Sequence, residues 1–410
     1  MNSVLQTLKT RGFFAQCSSP EGLSRLMDEG PVTFYIGIDP TGASAHIGHM
    51  VPFFAFTHLI NEGHKGIALM GGGTARIGDP SGKTEVRKML SYEQLDENVK
   101  SIASQLSGFI SFDGDAARIE NNKDWLADLN YIDFLREIGR HFSVNRMLSM
   151  EAYKTRLETG LSFIEFNYQL LQSYDFLELY RRTGCRLQIG GDDQWGNILA
   201  GVDLIRRIEG IEAFALTFPL ITTTSGEKMG KTEKGALFLD PKITSPYDFF
   251  QYWRNVNDAD IRNFLLTFTF LPVEEIDELT AKGKNPNEAK ERMAFEITSI
   301  IHGKDEAERA MSGARAAFGG GGEKSAMPRA ELARGKFEAG YGVIELFCDA
   351  GLAGSKSEAR RLIEQGGAFV SVAGTERAVS DVAALIGPEV LNTELILRAG
   401  KKRYCLVNFT

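Results

Sequence analysis

Short apolar runs that stop abruptly at glycine, aspartate or proline constrain the fold of this chain more than any other feature. Val32 to Ile38 is a β-branched and aromatic run ending at Asp39-Pro40, the pattern of a buried strand. From His46 to Asn61 apolar residues recur at helical spacing until Glu62-Gly63 stops them. Ile67 to Met70 is a second buried strand running into Gly71-Gly72-Gly73. Cys185 to Ile189 and Phe214 to Leu220 are further strands, with helical stretches between. Such alternation predicts an α/β, doubly wound parallel sheet. Ligands of such sheets bind at the carboxyl ends of the strands. Tyr35–Thr41, Gly71–Asp79 and Gly190–Gln194 all lie there.

The chain has 410 residues, enough for two or three domains. We assign 1–222 to the sheet domain, with a helical insertion at about 121–160 that interrupts the αβ rhythm. Residues 223–318 hold a charged loop and a small α-helical domain. The four glycines Gly319–Gly322 open a polar linker, 319–340, and 341–410 form a compact α+β tail. The net charge of −8 argues against non-specific coating of nucleic acid but leaves room for a local basic patch. Cys17, Cys185, Cys348 and Cys405 are scattered without metal or disulfide spacing. With no long apolar run, the expected setting is cytoplasmic and away from membranes.

Two clusters suggest one phosphate site. His46-Ile47-Gly48-His49 follows a strand and an Asp39-Pro40-Thr41 turn, at a predicted helix start. Free N–H groups there suit phosphate, imidazoles can donate to it, and Gly48 leaves room for a flat base. Lys228-Met229-Gly230-Lys231-Thr232 follows Ser225-Gly226-Glu227. Two lysines on such a loop can bracket a leaving pyrophosphate. Taken singly, each cluster is equally well an incidental pair of histidines or a solvated loop. Gly78 to Thr84 resembles a P-loop, but Ile77 stands where its first glycine is required. Lys83 and Arg87 read instead as phosphate contacts on the rim.

Gly190-Gly191-Asp192-Asp193-Gln194 sits at a strand-to-helix junction. Its glycines allow close approach, Asp192 can cap the helix, and Asp193 can take ribose hydroxyls. Tyr168, Gln172 and Asp175 share one helix face, suited to an ammonium group and a hydroxyl or to plain solvent. In the tail, Lys356, Arg360, Arg361, Lys401 and Lys402 form basic points amid eight Lys/Arg and eight Asp/Glu. They suit contact with an RNA backbone, or form an ordinary surface charge cluster.

In this order the motifs resemble the tyrosyl-tRNA synthetases of bacterial or organellar type, which are class I aminoacyl-tRNA synthetases. The resemblance spans the chain: the HIGH motif, D-P-T, G-D-P-S-G, Y-x-x-x-Q-x-x-D, G-G-x-D-Q-W-G-N, a KMSKS-type loop and an S4-like RNA-binding tail. It implies a Rossmann-like catalytic domain, a helical insertion at a homodimer interface, and ATP, L-tyrosine and tRNA(Tyr) as substrates. Magnesium would travel with ATP, with no tightly bound cofactor and no protein metal site. By resemblance, Tyr35 and Asp175 meet the substrate phenol. This enzyme class is itself the standing example of a site that rejects an analogue lacking the hydroxyl. Tyr168, Gln172 and Asp79 would bind the amino group, and Gln188 and Gln194 orient the amino acid. Gly37, Asp39, Gly48, Gly191 and Asp193 would meet the adenylate. Thr41, His46, His49, Lys228, Lys231, Lys83 and Arg87 would act on the phosphates.

Two departures stand out. Ile36 replaces a cysteine often found before G-x-D-P, and Met229-Gly230 replaces Met-Ser while keeping both lysines. The nearest rival, a tryptophan-activating enzyme, needs no phenol-sensing pair. A second rival is an RNA-binding protein that keeps the fold but has lost activation.

Overall fold

The computed structural model describes residues 2–79, 90–112, 114–222, 229, 231–232, 235–317, 328–400 and 403–410. The contact pattern divides the chain into two compact units. The first is Met1–Thr244 with Asn257–Ala289, and the second is Ser245–Val256 with Lys290–Thr410.

The first unit is built on five parallel strands: β1 (Thr33–Ile38), β2 (Lys65–Met70), β3 (Ala117–Asn121), β4 (Leu187–Gly191) and β5 (Phe214–Phe218). Their spatial order is β3-β2-β1-β4-β5. The chain winds outward from β1 to β3, then returns and winds the other way from β4. The reversal lies between β1 and β4, where such sheets open a crevice. The ladder there is short: only Phe34↔Leu187 and Tyr35↔Gln188 pair. By contrast β1 and β2 pair along all six residues. Beyond Tyr35 the carboxyl ends of β1 and β4 are unladdered, and the crevice forms between them.

β1, β2, β4 and β5 match the apolar runs because helices cover both faces of the sheet. The predicted helix from His46 starts with a 3-10 turn, Ile47–His49, and becomes α-helical at Met50–Asn61. The expected insertion is a series of short helices, Lys123–Leu126, Tyr131–Glu137, Val144–Leu148 and Glu151–Thr159. It leads to the long helix Phe163–Thr183, opened by a Ser162–Glu165 capping box and closed by Gly184 in the left-handed conformation.

In the second unit the tail forms a five-stranded sheet, ordered Thr375–Ala378, Ala368–Val372, Leu395–Ala399, Arg403–Phe409, Arg329–Leu332. Helices Val343–Asp349 and Lys356–Glu364 accompany it. Phe337, Val343, Phe347, Ile363, Val370, Leu397 and Val407 belong to its core. The expected linker is therefore corrected in part. Arg329–Leu332 pairs in parallel with Arg403–Phe409, and Arg334–Glu338 is a short helix that buries Phe337. Residues 318–327, including Gly319–Gly322, lie outside the described residues.

Candidate active site

An open cavity of about 550 Å³ occupies the crevice at the carboxyl ends of β1 and β4. Fourteen expected residues line it: Tyr35, Gly37, Asp39, Thr41, His46, His49, Asp79, Tyr168, Gln172, Asp175, Gln188, Gly191, Asp193 and Gln194. At its floor, Tyr35 and Gln188 sit side by side in the β1–β4 register. The Tyr35 hydroxyl and the amide oxygens of Gln188 and Gln172 are buried without a hydrogen-bond partner among the described residues. Buried polar atoms normally find partners. Three converging on one cavity mark the place of a polar ligand.

Asp175 is held at the same floor. Trp125 Nε1 donates to one carboxylate oxygen at 2.7 Å and Asn122 Nδ2 to the other at 2.9 Å. Burial raises its pKa to about 8 despite both donors. Asn122 also donates to the Thr74 hydroxyl, which donates to Asp39 Oδ1 at 2.8 Å. The Tyr168 hydroxyl donates to Asp39 Oδ2 at 2.9 Å. Burial, then Asp39, raises the Tyr168 pKa, so the phenol keeps its proton. One hydrogen-bond chain thus runs from Asp175 to Tyr168. Gly71 makes room for it, because a Cβ there would lie 2.0 Å from Asp39 Oδ1. Gln194 Nε2 donates to Asp79 at 2.8 Å and Asn197 Nδ2 to Gln194 Oε1 at 3.2 Å.

The sequence reading missed Asn122, Trp125 and Thr74. Their signal is weak: Asn122 and Trp125 follow β3, whose sequence Ala-Arg-Ile-Glu-Asn has no apolar run.

The histidine cluster forms a reciprocal cap. His46 Nδ1 accepts from the Gly48 N–H and His49 Nδ1 from the His46 N–H, both at 3.1 Å. Each ring therefore carries its proton on Nε2, the donor a phosphate needs. Burial, then His46, lowers the His49 pKa to about 3, keeping that ring neutral. Gly48 is not among the residues lining the cavity, and a Cβ there would stand 2.9 Å from the His46 ring. The expected cap at Asp192 is corrected. The 3-10 turn Asp192–Gln194 and the helix Trp195–Glu209 have no side-chain cap. Asp192 instead accepts from Gln16 and Thr217.

The backbone ties the histidine cluster to the segment that follows the lysine cluster. Ile47 N–H donates to the Leu237 carbonyl and Leu239 N–H to the Ala45 carbonyl, pairing 45–47 with 237–239. Lys231–Thr232 pairs with Gly235–Ala236 in the backbone. Lys83, Arg87, Lys228, Lys401 and Lys402 lie outside the described residues, as does the Lys231 side chain. In the tail, Lys356, Arg360 and Arg361 share one helix with their side chains exposed, and Lys356 Nζ pairs with Glu345 at 2.6 Å.

A family model for class I tRNA synthetases (W and Y) matches residues 27–319. The tyrosine–tRNA ligase of Treponema denticola is 62% identical over 412 residues, covering 100% of both chains. That of Treponema pallidum is 58% identical over 98% of each. The C-terminally truncated mitochondrial tyrosyl-tRNA synthetase of Aspergillus nidulans gives a TM-score of 0.70 at 29% identity, covering 77% of this chain and 94% of that one.

Proposed function

Because the chain belongs to the class I tRNA synthetases of the tryptophan and tyrosine group, we propose how its residues carry out the work of a tyrosine–tRNA ligase. The tyrosine carboxylate attacks the α-phosphorus of ATP and pyrophosphate leaves. The 3′-terminal ribose hydroxyl of tRNA(Tyr) then attacks the adenylate carbonyl and AMP leaves. Neither step needs a protein nucleophile, so positioning and charge supply the acceleration.

The observation that carries the tyrosine reading is the cavity floor: an unpartnered Tyr35 hydroxyl lining the same cavity as Asp175, which Trp125 and Asn122 hold. A phenol satisfies both groups. Phenylalanine leaves the Tyr35 hydroxyl unpaired and gives Asp175 no further partner, and an indole offers no hydroxyl. Tyr168, Gln172 and Asp79 take the ammonium group, with Gln188 and Gln194 orienting the substrate. Gly37, Asp39, Gly191 and Asp193 line the adenylate. Thr41, His46 and His49 meet the phosphates with Lys83, Arg87, Lys228 and Lys231, and magnesium arrives with ATP. Lys356, Arg360, Arg361, Lys401 and Lys402 contact RNA. The exposed Lys356–Glu345 pair costs little to exchange for a phosphate.

For the organisation of the chain we keep the catalytic domain at 1–222, the loop and helical domain at 223–318, and an RNA-binding tail. No helix among the described residues is long and apolar enough to cross a membrane, and we place the reaction in the cytoplasm. The test is pyrophosphate exchange into ATP with tyrosine, phenylalanine or tryptophan. Exchange is expected with tyrosine alone; exchange with tryptophan alone, or none with any of the three, overturns the reading.

A further inference from the structure

Residues 15–18 form an antiparallel rim on the outer edge of β5. The Ala15 N–H donates to the Thr217 carbonyl, Thr217 N–H to the Gln16 carbonyl, and Ser18 N–H to the Ala215 carbonyl, all at 2.8–3.0 Å. Side chains close a ring on this ladder. The Gln16 N–H donates to the Thr217 hydroxyl at 3.2 Å, and that hydroxyl donates to Asp192 Oδ1 at 2.7 Å. Gln16 Nε2 donates to the same oxygen at 2.8 Å. Thr217 is fully buried. Asp192 itself does not line the cavity, whereas its neighbours Gly191, Asp193 and Gln194 do.

We infer that Asp192 is a positioning residue for the nucleotide side of the site, pinned from behind by Thr217 and by Gln16 of the N-terminal rim. The turn Asp192–Gln194 starts at Asp192 and makes no side-chain cap of its own. Gln194 has separate anchors in Asn197 and Asp79. Asp193 is exposed and directly follows Asp192 on that turn, with Gln194 Nε2 donating to its carboxylate at 3.5 Å. Loosening Asp192 therefore disturbs Asp193 more than the tyrosine pocket. The inference rests on reading Asp193 as a nucleotide contact.

The experiment compares Asp192→Ala, Asp192→Asn, Thr217→Val, Thr217→Ser and Asp193→Ala in tyrosine-dependent pyrophosphate exchange, with melting temperatures alongside. Asp192→Ala and Thr217→Val are expected to raise the KM for ATP about tenfold and to leave that for tyrosine within about twofold. Asp192→Asn keeps the acceptor and Thr217→Ser the hydroxyl, so both should stay near wild type. Thr217→Val added to Asp192→Ala should cost nothing more, because it acts through the lost carboxylate. An unchanged KM for ATP in Asp192→Ala, or equal rises for both substrates, overturns the inference. If Asp193→Ala leaves the KM for ATP unchanged, the nucleotide reading of Asp193 fails and the inference falls with it. If Asp193→Ala raises it while Asp192→Ala does not, the positioning role alone fails.

Discussion

Burial and hydrogen bonding pull Asp175 in opposite directions. Burial raises the carboxyl, the Asn122 and Trp125 donors lower it, and burial wins, giving about 8 against an ordinary 3.8. Between those values the native state binds a proton that the unfolded chain has released. Stability from this group is therefore present at low pH and lost as pH rises toward 8. Wild type should lose urea resistance relative to Asp175→Asn between about pH 4 and pH 8; parallel midpoints across that range would contradict it. At Tyr35 the hydroxyl has no partner among the described residues, and we propose that the substrate supplies one. Tyr35→Phe should cut kcat/KM for tyrosine between about two- and tenfold and narrow the gap to phenylalanine, read by exchange. Asp175 was legible in the sequence because it shares a helix face with Tyr168 and Gln172. Trp125 and Asn122 were not, because their contact with Asp175 spans 50 and 53 residues.

Elements were legible where burial is complete on both faces. β1, β2, β4 and β5 are apolar runs and announced themselves. β3 is an edge strand in which only Ala117 is buried and the other four residues are exposed or half-buried, so Ala117–Asn121 carried no run. Arg329–Leu332 has two charged residues in four and buries only Leu332, and it becomes a strand by pairing with Arg403–Phe409 at the far end of the tail. The strand order, and with it the crevice, is a tertiary fact that periodicity does not contain. At the crossing from β2 to the following turn, Gly71 lies close against Asp39 and Thr74. Gly71→Ala would press a methyl into the Asp39–Thr74 hydrogen bond. Exchange activity should fall at least tenfold while far-UV circular dichroism stays unchanged; wild-type activity would show that the Asp39–Thr74–Asn122 chain does not set the site.

At the scale of the whole molecule, the insertion leaves large apolar side chains exposed. Helix Tyr131–Glu137 packs on the long helix through Phe134 and Tyr174, whose rings lie 5.5 Å apart. Outside that contact Tyr131, Ile132, Val144, Leu157, Phe163 and Ile164 are exposed, with Ile132 and Phe163 each at 69%. So many large apolar side chains left in water mark a contact surface. We propose that a second copy of the same surface covers it. A two-fold interface uses each residue twice. Removing Phe163 from it therefore forfeits about 3–6 kcal/mol, two aromatic burials. Phe163 is the first residue of its helix. Phe163→Asp places a negative charge at the positive end of the helix dipole, so the fold itself should tolerate the change. Sedimentation should show dimers for wild type and monomers for Phe163→Asp at micromolar concentration, with both melting cooperatively. A wild-type monomer, or a variant dimer as tight as wild type, would remove this surface from the interface.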